Sequence, residues 1–196
     1  MQHLDVEPSL APVVEAGRCP HLAMLLSSYD QVPPALASFY GLGAKRNGWL
    51  FHRSLPGRGA EDRGALSAAG LDVEGLESSG RLSVDELPLD DPPKTWTRPW
   101  QRVLDERLAE GFDAAWWAPF PIGPEPVPFE HALAYDRVLE ESFHGRPAVT
   151  LCLYVVGSVE DSIGDGRFAA LAGVHDALLV PGDDGVRLVP TRDDQD

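Results

Sequence analysis

The chain has little of what would tie it to an oxidising compartment, to a membrane or to nucleic acid. Its two cysteines, Cys19 and Cys152, are too few and too far apart for a disulfide framework, and both are expected to be reduced. Lysine is nearly missing: Lys45 and Lys94 stand alone, and arginine supplies the remaining positive charge. Acidic residues outnumber basic ones 31 to 16, and the formal charge of −15 repels phosphate backbones and anionic headgroups. Nucleic acid is therefore not an expected partner. Apolar runs such as residues 147–156 have strand length, far below the roughly 20 residues of a membrane helix. The first residues, Met1 to Pro8, offer neither a basic start nor an apolar stretch, so the expectation is a cytoplasmic protein with no membrane partner.

What is present suits a single globular domain: 196 residues, 43% of them apolar, with five tryptophans. Residues 1–20 carry Pro8, Pro12, Gly17 and Pro20 without sustained periodicity and read as an irregular N-terminal segment. A single α/β domain is expected over 21–190, and 191–196 form a charged tail. The continuous apolar run at 21–26 suits a strand covered on both faces. Asp30 is placed to cap a helix with Pro33 and Pro34 in its first turn and an apolar stripe at Val32, Leu36, Phe39 and Tyr40. Short strands follow at 49–52 and 81–85, separated by helical segments at 65–69 and within 71–80. This alternation predicts a mainly parallel sheet with helices on both faces. Trp96, Trp100, Val103, Leu104, Leu108 and Phe112 recur at helical intervals, and residues 112–118 read as the next strand. The proline-dense stretch 119–128 cannot be helical. A helix over 129–143, a buried strand over 147–154, a helix over 166–174 and a closing antiparallel hairpin from 177 to 189 complete the pattern.

These landmarks, in this order, resemble the MEDS sensory domain, named for methanogens, methylotrophs and a dichloromethane regulator. The residues that carry the resemblance are His21-Leu22-Ala23-Met24-Leu25, Ala68-Ala69-Gly70-Leu71-Asp72-Val73 ahead of Ser79-Gly80-Arg81-Leu82, Glu110-Gly111-Phe112, Ala134-Tyr135-Asp136, the run Pro147 to Tyr154, and His175 before the last parallel strand. The resemblance implies a RecA/KaiC-like sheet whose phosphate loop has been lost. It further implies a non-catalytic sensory role, with a small-molecule ligand or a separate regulatory protein as partner. The chain departs from the family in having Ala118-Pro119-Phe120-Pro121 where an acidic residue is usual, and Val155 where an aspartate usually follows Tyr154.

The residues themselves agree that a phosphate loop is missing. After the first strand stand Ser27-Ser28-Tyr29-Asp30-Gln31-Val32-Pro33-Pro34, without glycine or lysine, and Asp30 would repel a phosphate. Gly41-x-Gly43 falls inside a helical pattern, and Gly57-x-Gly59 lacks a third glycine at the required spacing. Asp136 lies on the apolar face of its helix, where a lone charge costs several kcal/mol unless paired. It is either a structural hydrogen-bond partner or a polar group in a ligand pocket. Trp117, Phe120, Tyr29 and Tyr154 fall near expected carboxyl ends of strands, where α/β sheets bind ligands; the competing reading is core packing. These five residues are the ligand-binding candidates.

No cofactor and no metal are expected from spacing. Cys19-Pro20-His21 resembles a haem-responsive Cys-Pro pair, but a metal centre needs three or four ligands, and histidines 3, 52, 131, 144 and 175 show no ligand spacing. No Gly-x-Ser-x-Gly elbow supports a hydrolase. Two further function classes remain: a protein-only scaffold acting through the 119–128 stretch, and a divergent nucleotide-dependent enzyme using another loop.

Overall fold

The computed structural model describes residues 4–86, 93–119, 129–156 and 166–191, with side chains described from Thr97 onward in the helix that begins at Pro93. Helix α1 spans Glu7–Glu15, β1 His21–Leu26, α2 Val32–Lys45, β2 Trp49–Ser54, α3 Gly59–Ala68, α4 Val73–Ser78 and β3 Leu82–Glu86. Then follow α5 Pro93–Ala109, β4 Ala115–Ala118, α6 Phe129–Phe143, β5 Ala148–Val155, α7 Arg167–Ala172, β6 Ala177–Gly182 and β7 Gly185–Pro190. The strands form one sheet in the order β3-β2-β4-β5-β1-β6-β7, parallel except for the antiparallel β6–β7 hairpin at its edge.

Residues alternate between the two sheet faces, and this places the site. Leu22, Met24 and Leu26 of β1, with Val149, Leu151 and Leu153 of β5, face the core shared with α1, α2, α3 and α4. Ala23, Leu25, Cys152 and Tyr154 face the opposite core, packed under α5, α6 and α7. Trp116 and Trp117 divide in the same way, one to each face. Because β1 pairs with β5 in the register Ala23↔Cys152, His21 starts its strand on the same face as Cys152.

Several boundaries differ from the sequence reading. The segment 1–20 is not wholly irregular: α1 forms with Pro8 in its first turn, tolerates Pro12, and is held by buried Val6 and Leu10. Tertiary burial here outweighs the missing periodicity. Asp30 does not cap α2. Ser28 and Gln31 instead close a capping box around the short 3-10 turn Tyr29–Gln31. Strand β4 begins at Ala115 rather than at 112, because Gly111 turns at φ +101° and the Asp113 N–H donates to the Asn47 carbonyl. The proline-dense stretch beyond Pro119, with Phe120, lies outside the described residues.

Candidate functional site

The layer between the sheet and α6 contains a buried polar cluster. Asp136, on the inner face of α6 beside Ala132, Leu133 and Leu139, is completely buried, as its helical phase requires. The Cys152 thiol donates to its Oδ1 at 3.2 Å, and the Tyr154 hydroxyl donates to its Oδ2. His175, in the turn between α7 and β6, places Nε2 3.1 Å from the same Oδ2. His21 Nε2 stands 3.4 Å from Cys152 Sγ, and its Nδ1 lies 3.2 Å from Oε2 of Glu140, one turn along α6 from Asp136. The rings of His21 and His175 are 4.3 Å apart. Two bonds tie His21 to Asp176, the neighbour of His175: the Asp176 N–H donates to the His21 carbonyl, and the His21 N–H donates to the Asp176 carboxylate, each at 2.8 Å.

Environment fixes the charges. Burial alone would raise Asp136, but the neighbouring His175 and His21 and the Tyr154 hydrogen bond outweigh it and hold the carboxyl below its ordinary range. Burial pushes the Cys152 thiol and the Tyr154 phenol well up, and the neighbouring carboxylate adds to both. His21 is lowered by burial against the opposing pull of Glu140. At neutral pH the cluster thus holds a carboxylate, a protonated thiol, a protonated phenol and a neutral His21.

A second network sits at the carboxyl end of β2. Tyr40 donates to the Phe51 carbonyl at 3.0 Å and lies 3.2 Å from His52 Nδ1, while His52 Nε2 meets Asp62 Oδ2 at 3.1 Å. Ser54 also donates to Asp62. The carboxylate lies between the hydroxyl and the imidazole, so His52 is not placed to take the Ser54 proton, and the trio lacks the order of a hydrolase triad.

At the strand-to-helix turns after β1 and β2, backbone donors are taken up from within. After β1, Gln31 Oε1 accepts from the Ser27 N–H at 2.7 Å, the Ser27 hydroxyl at 2.9 Å and the Ser28 N–H at 3.4 Å. Prolines at positions 33 and 34 remove two donors from the first turn of α2. At the start of α3, the Gly57 and Gly59 N–H groups point at the Glu86 carboxylate of β3, 2.6 and 2.8 Å away. These two bonds hold the Glu86 carboxyl below its usual range.

Of the five ligand candidates, the fold brings Asp136 and Tyr154 together. Trp117 is 2% exposed and packs on Phe51, Trp100 and Phe143, away from the partners of Asp136, while Tyr29 is on the exposed turn after β1. The expected aromatic pocket at the strand ends is therefore a buried stack plus a surface ring, and Phe120 lies outside the described residues. Sequence reasoning did not gather His21, Cys152 and His175 around Asp136, because their separations carry no local spacing. Together these four are the residues among those described that could hold a metal ion.

The order and layering of the sheet match solved RecA/KaiC-like structures. The KaiC-like protein PH0186 of Pyrococcus horikoshii aligns over 86% of this chain and 89% of its own at 11% identity, with a TM-score of 0.54. A second solved structure, an ATPase domain, aligns over 83% of this chain and 69% of its own at 13% identity, with a TM-score of 0.55. The fold is thus a RecA/KaiC-like α/β sheet closed by a C-terminal antiparallel hairpin. No protein-family model and no curated protein matches the chain. No helix among the described residues is long and apolar enough to cross a membrane.

Proposed function

We propose that this RecA/KaiC-like domain is a non-catalytic regulatory module of the kind the MEDS resemblance implies, one that takes a small molecule or reports to a separate regulatory protein. The observation that carries this reading is the internal filling of both phosphate cradles. Nucleotide binding in such sheets depends on free backbone N–H groups at a strand-to-helix turn. In this chain Gln31 takes those after β1 and Glu86 takes those after β2. A nucleotide at the turn after β2 would have to displace a carboxylate from two short hydrogen bonds, and one at the turn after β1 would bring its own charge beside Asp30.

Titration with a fluorescent ATP analogue and Mg2+, alongside a coupled assay for ADP release, tests the non-catalytic part. Neither saturable binding at millimolar nucleotide nor turnover is expected. Hydrolysis at an ordinary enzymatic rate, on the order of 1 s−1 or faster, would overturn it. Native mass spectrometry of protein purified without added ligand tests the regulatory part, through an organic adduct or a co-purifying protein.

A further inference from the structure

We propose that His21, Asp136, Cys152 and His175 form a closed, buried site for one transition-metal ion, with Zn2+ as the ion it fits best. The proposal goes beyond the regulatory reading and stands independently of it. The four ligand atoms all lie within 4.8 Å of one another, and all four residues are buried. With metal–nitrogen and metal–oxygen bonds of about 2.0–2.2 Å and a metal–sulfur bond of about 2.3 Å, tetrahedral zinc ligands stand roughly 3.3–3.8 Å apart. The 3.1 Å between His175 Nε2 and Asp136 Oδ2 and the 3.4 Å between His21 Nε2 and Cys152 Sγ sit just below that range and at its lower end, so a small outward shift of the ligands admits the ion.

The second observation is the orientation of His175. Its Nδ1 lies 2.9 Å from the Leu171 carbonyl, an acceptor, so Nδ1 carries a proton. Nε2 then directs its lone pair inward, and although completely buried it makes no hydrogen bond among the described residues. The Asp136 carboxylate oxygen stands 3.1 Å away and carries lone pairs of its own. Two facing lone-pair donors in a buried site call for a cation between them. His21 repeats the arrangement: Glu140 engages Nδ1 and leaves Nε2 turned toward Cys152.

The surroundings are those of a ligand set already oriented. Metal-binding histidines hold their outer nitrogen on a carboxylate or backbone carbonyl, the roles Glu140 and Leu171 fill, and Tyr154 orients the Asp136 carboxylate. On binding, Zn2+ replaces the Cys152 thiol proton, which leaves to solvent, and the zinc–sulfur bond forms. Thiolate, carboxylate and two neutral imidazoles then balance the two positive charges, so the buried site is neutral. Hard cations such as Mg2+ and Ca2+ want oxygen ligands and are disfavoured by one sulfur and two nitrogens. With four protein ligands and no solvent-facing position, the ion is structural, tying β1, β5 and α6 to the turn before β6.

The test uses the full chain stripped with a chelator, then titrated with Co2+ as an optical probe and back-titrated with Zn2+. One equivalent of Co2+ is expected to give the visible bands of a tetrahedral ion and a near-ultraviolet thiolate-to-metal band, both erased by Zn2+. Cys152→Ser should lose the thiolate band, Cys19→Ser should keep it, and Glu140→Gln should keep it while weakening affinity about 10–100-fold. Absence of saturable Co2+ and Zn2+ binding in folded wild-type protein would overturn the proposal, as would a spectrum without the thiolate band. If Cys152→Ser does not fold, the wild-type spectrum and that of Cys19→Ser decide. Nucleotide titration is blind to this result, so failure of the metal site leaves the regulatory reading separately testable.

Discussion

Replacing Asp136 with alanine removes the acceptor shared by Cys152 and Tyr154 and the carboxylate facing His175, all within a buried layer. A buried donor left without its acceptor costs about 1–3 kcal/mol. The two donors lose one shared carboxylate, so their losses overlap and we expect about 2–5 kcal/mol for Asp136→Ala in chelator-treated protein. For a domain of this size that is a fall in Tm of about 4–20 °C, at 2–4 °C per kcal/mol. Asp136→Asn keeps the shape and one acceptor oxygen and should cost about 1–2 kcal/mol. Thermal unfolding followed by circular dichroism measures both. A Tm unchanged in the two variants would refute the reasoning, since it would mean that the carboxylate is solvated rather than enclosed.

Helix α2 offers two glycines with opposite expectations. A Cβ at Gly43 would come within 2.6 Å of the Trp116 ring, so Gly43→Ala should cost about 1–3 kcal/mol, whereas Gly41 has open space and Gly41→Ala should gain about 0.5–1 kcal/mol. Urea midpoints read both, and equal shifts would contradict the packing of Trp116 on α2. Burial tends to raise Asp62, but hydrogen bonds from His52 and Ser54 outweigh it and leave its carboxyl below the ordinary value. The unfolded chain therefore takes up this proton first, so the stabilisation is complete above the unfolded pKa near 3.9 and is lost as pH falls through the depressed folded value. Comparing urea midpoints of wild type and Asp62→Asn at pH 7 and pH 3 should show a smaller acid loss in the variant; an identical loss would remove Asp62 as a source of acid sensitivity.

Local pattern carried much of the fold. The unbroken apolar runs of β1 and β5 have the signature of strands covered on both sides, and all six β1 residues are buried. The spacing of α6 was sufficient to place Asp136 inside, because helical phase is a local property. Helix α1 was not legible, since its prolines suppress the helical signal and its stability comes from burying Leu10 against the domain. The cluster was legible only at Asp136 and Tyr154. His21 and His175 are 154 positions apart and meet because β1 lies between β5 and β6, a fact of strand order that no spacing rule contains. The filled cradles were half legible: the missing phosphate-loop residues after β1 could be read, but not the long reach of Glu86 to Gly57 and Gly59.

The central place of β1 in the sheet has a consequence for how the chain is made. Of the strands of this sheet β1 comes first along the chain, yet its partners are β5 and β6, the fifth and sixth. While the ribosome adds the intervening residues, β2 and β3 can already pair, but His21–Leu26 has neither neighbour on which to close its hydrogen bonds. Its apolar side chains stay open to other chains until β5 has emerged, a long-range closure of the kind that folds slowly and exposes aggregation-prone surface. Nascent chains stalled before Ala148 should thus depend on chaperones in a way the finished protein does not, and the last quarter of the sequence decides whether the first strand finds its place.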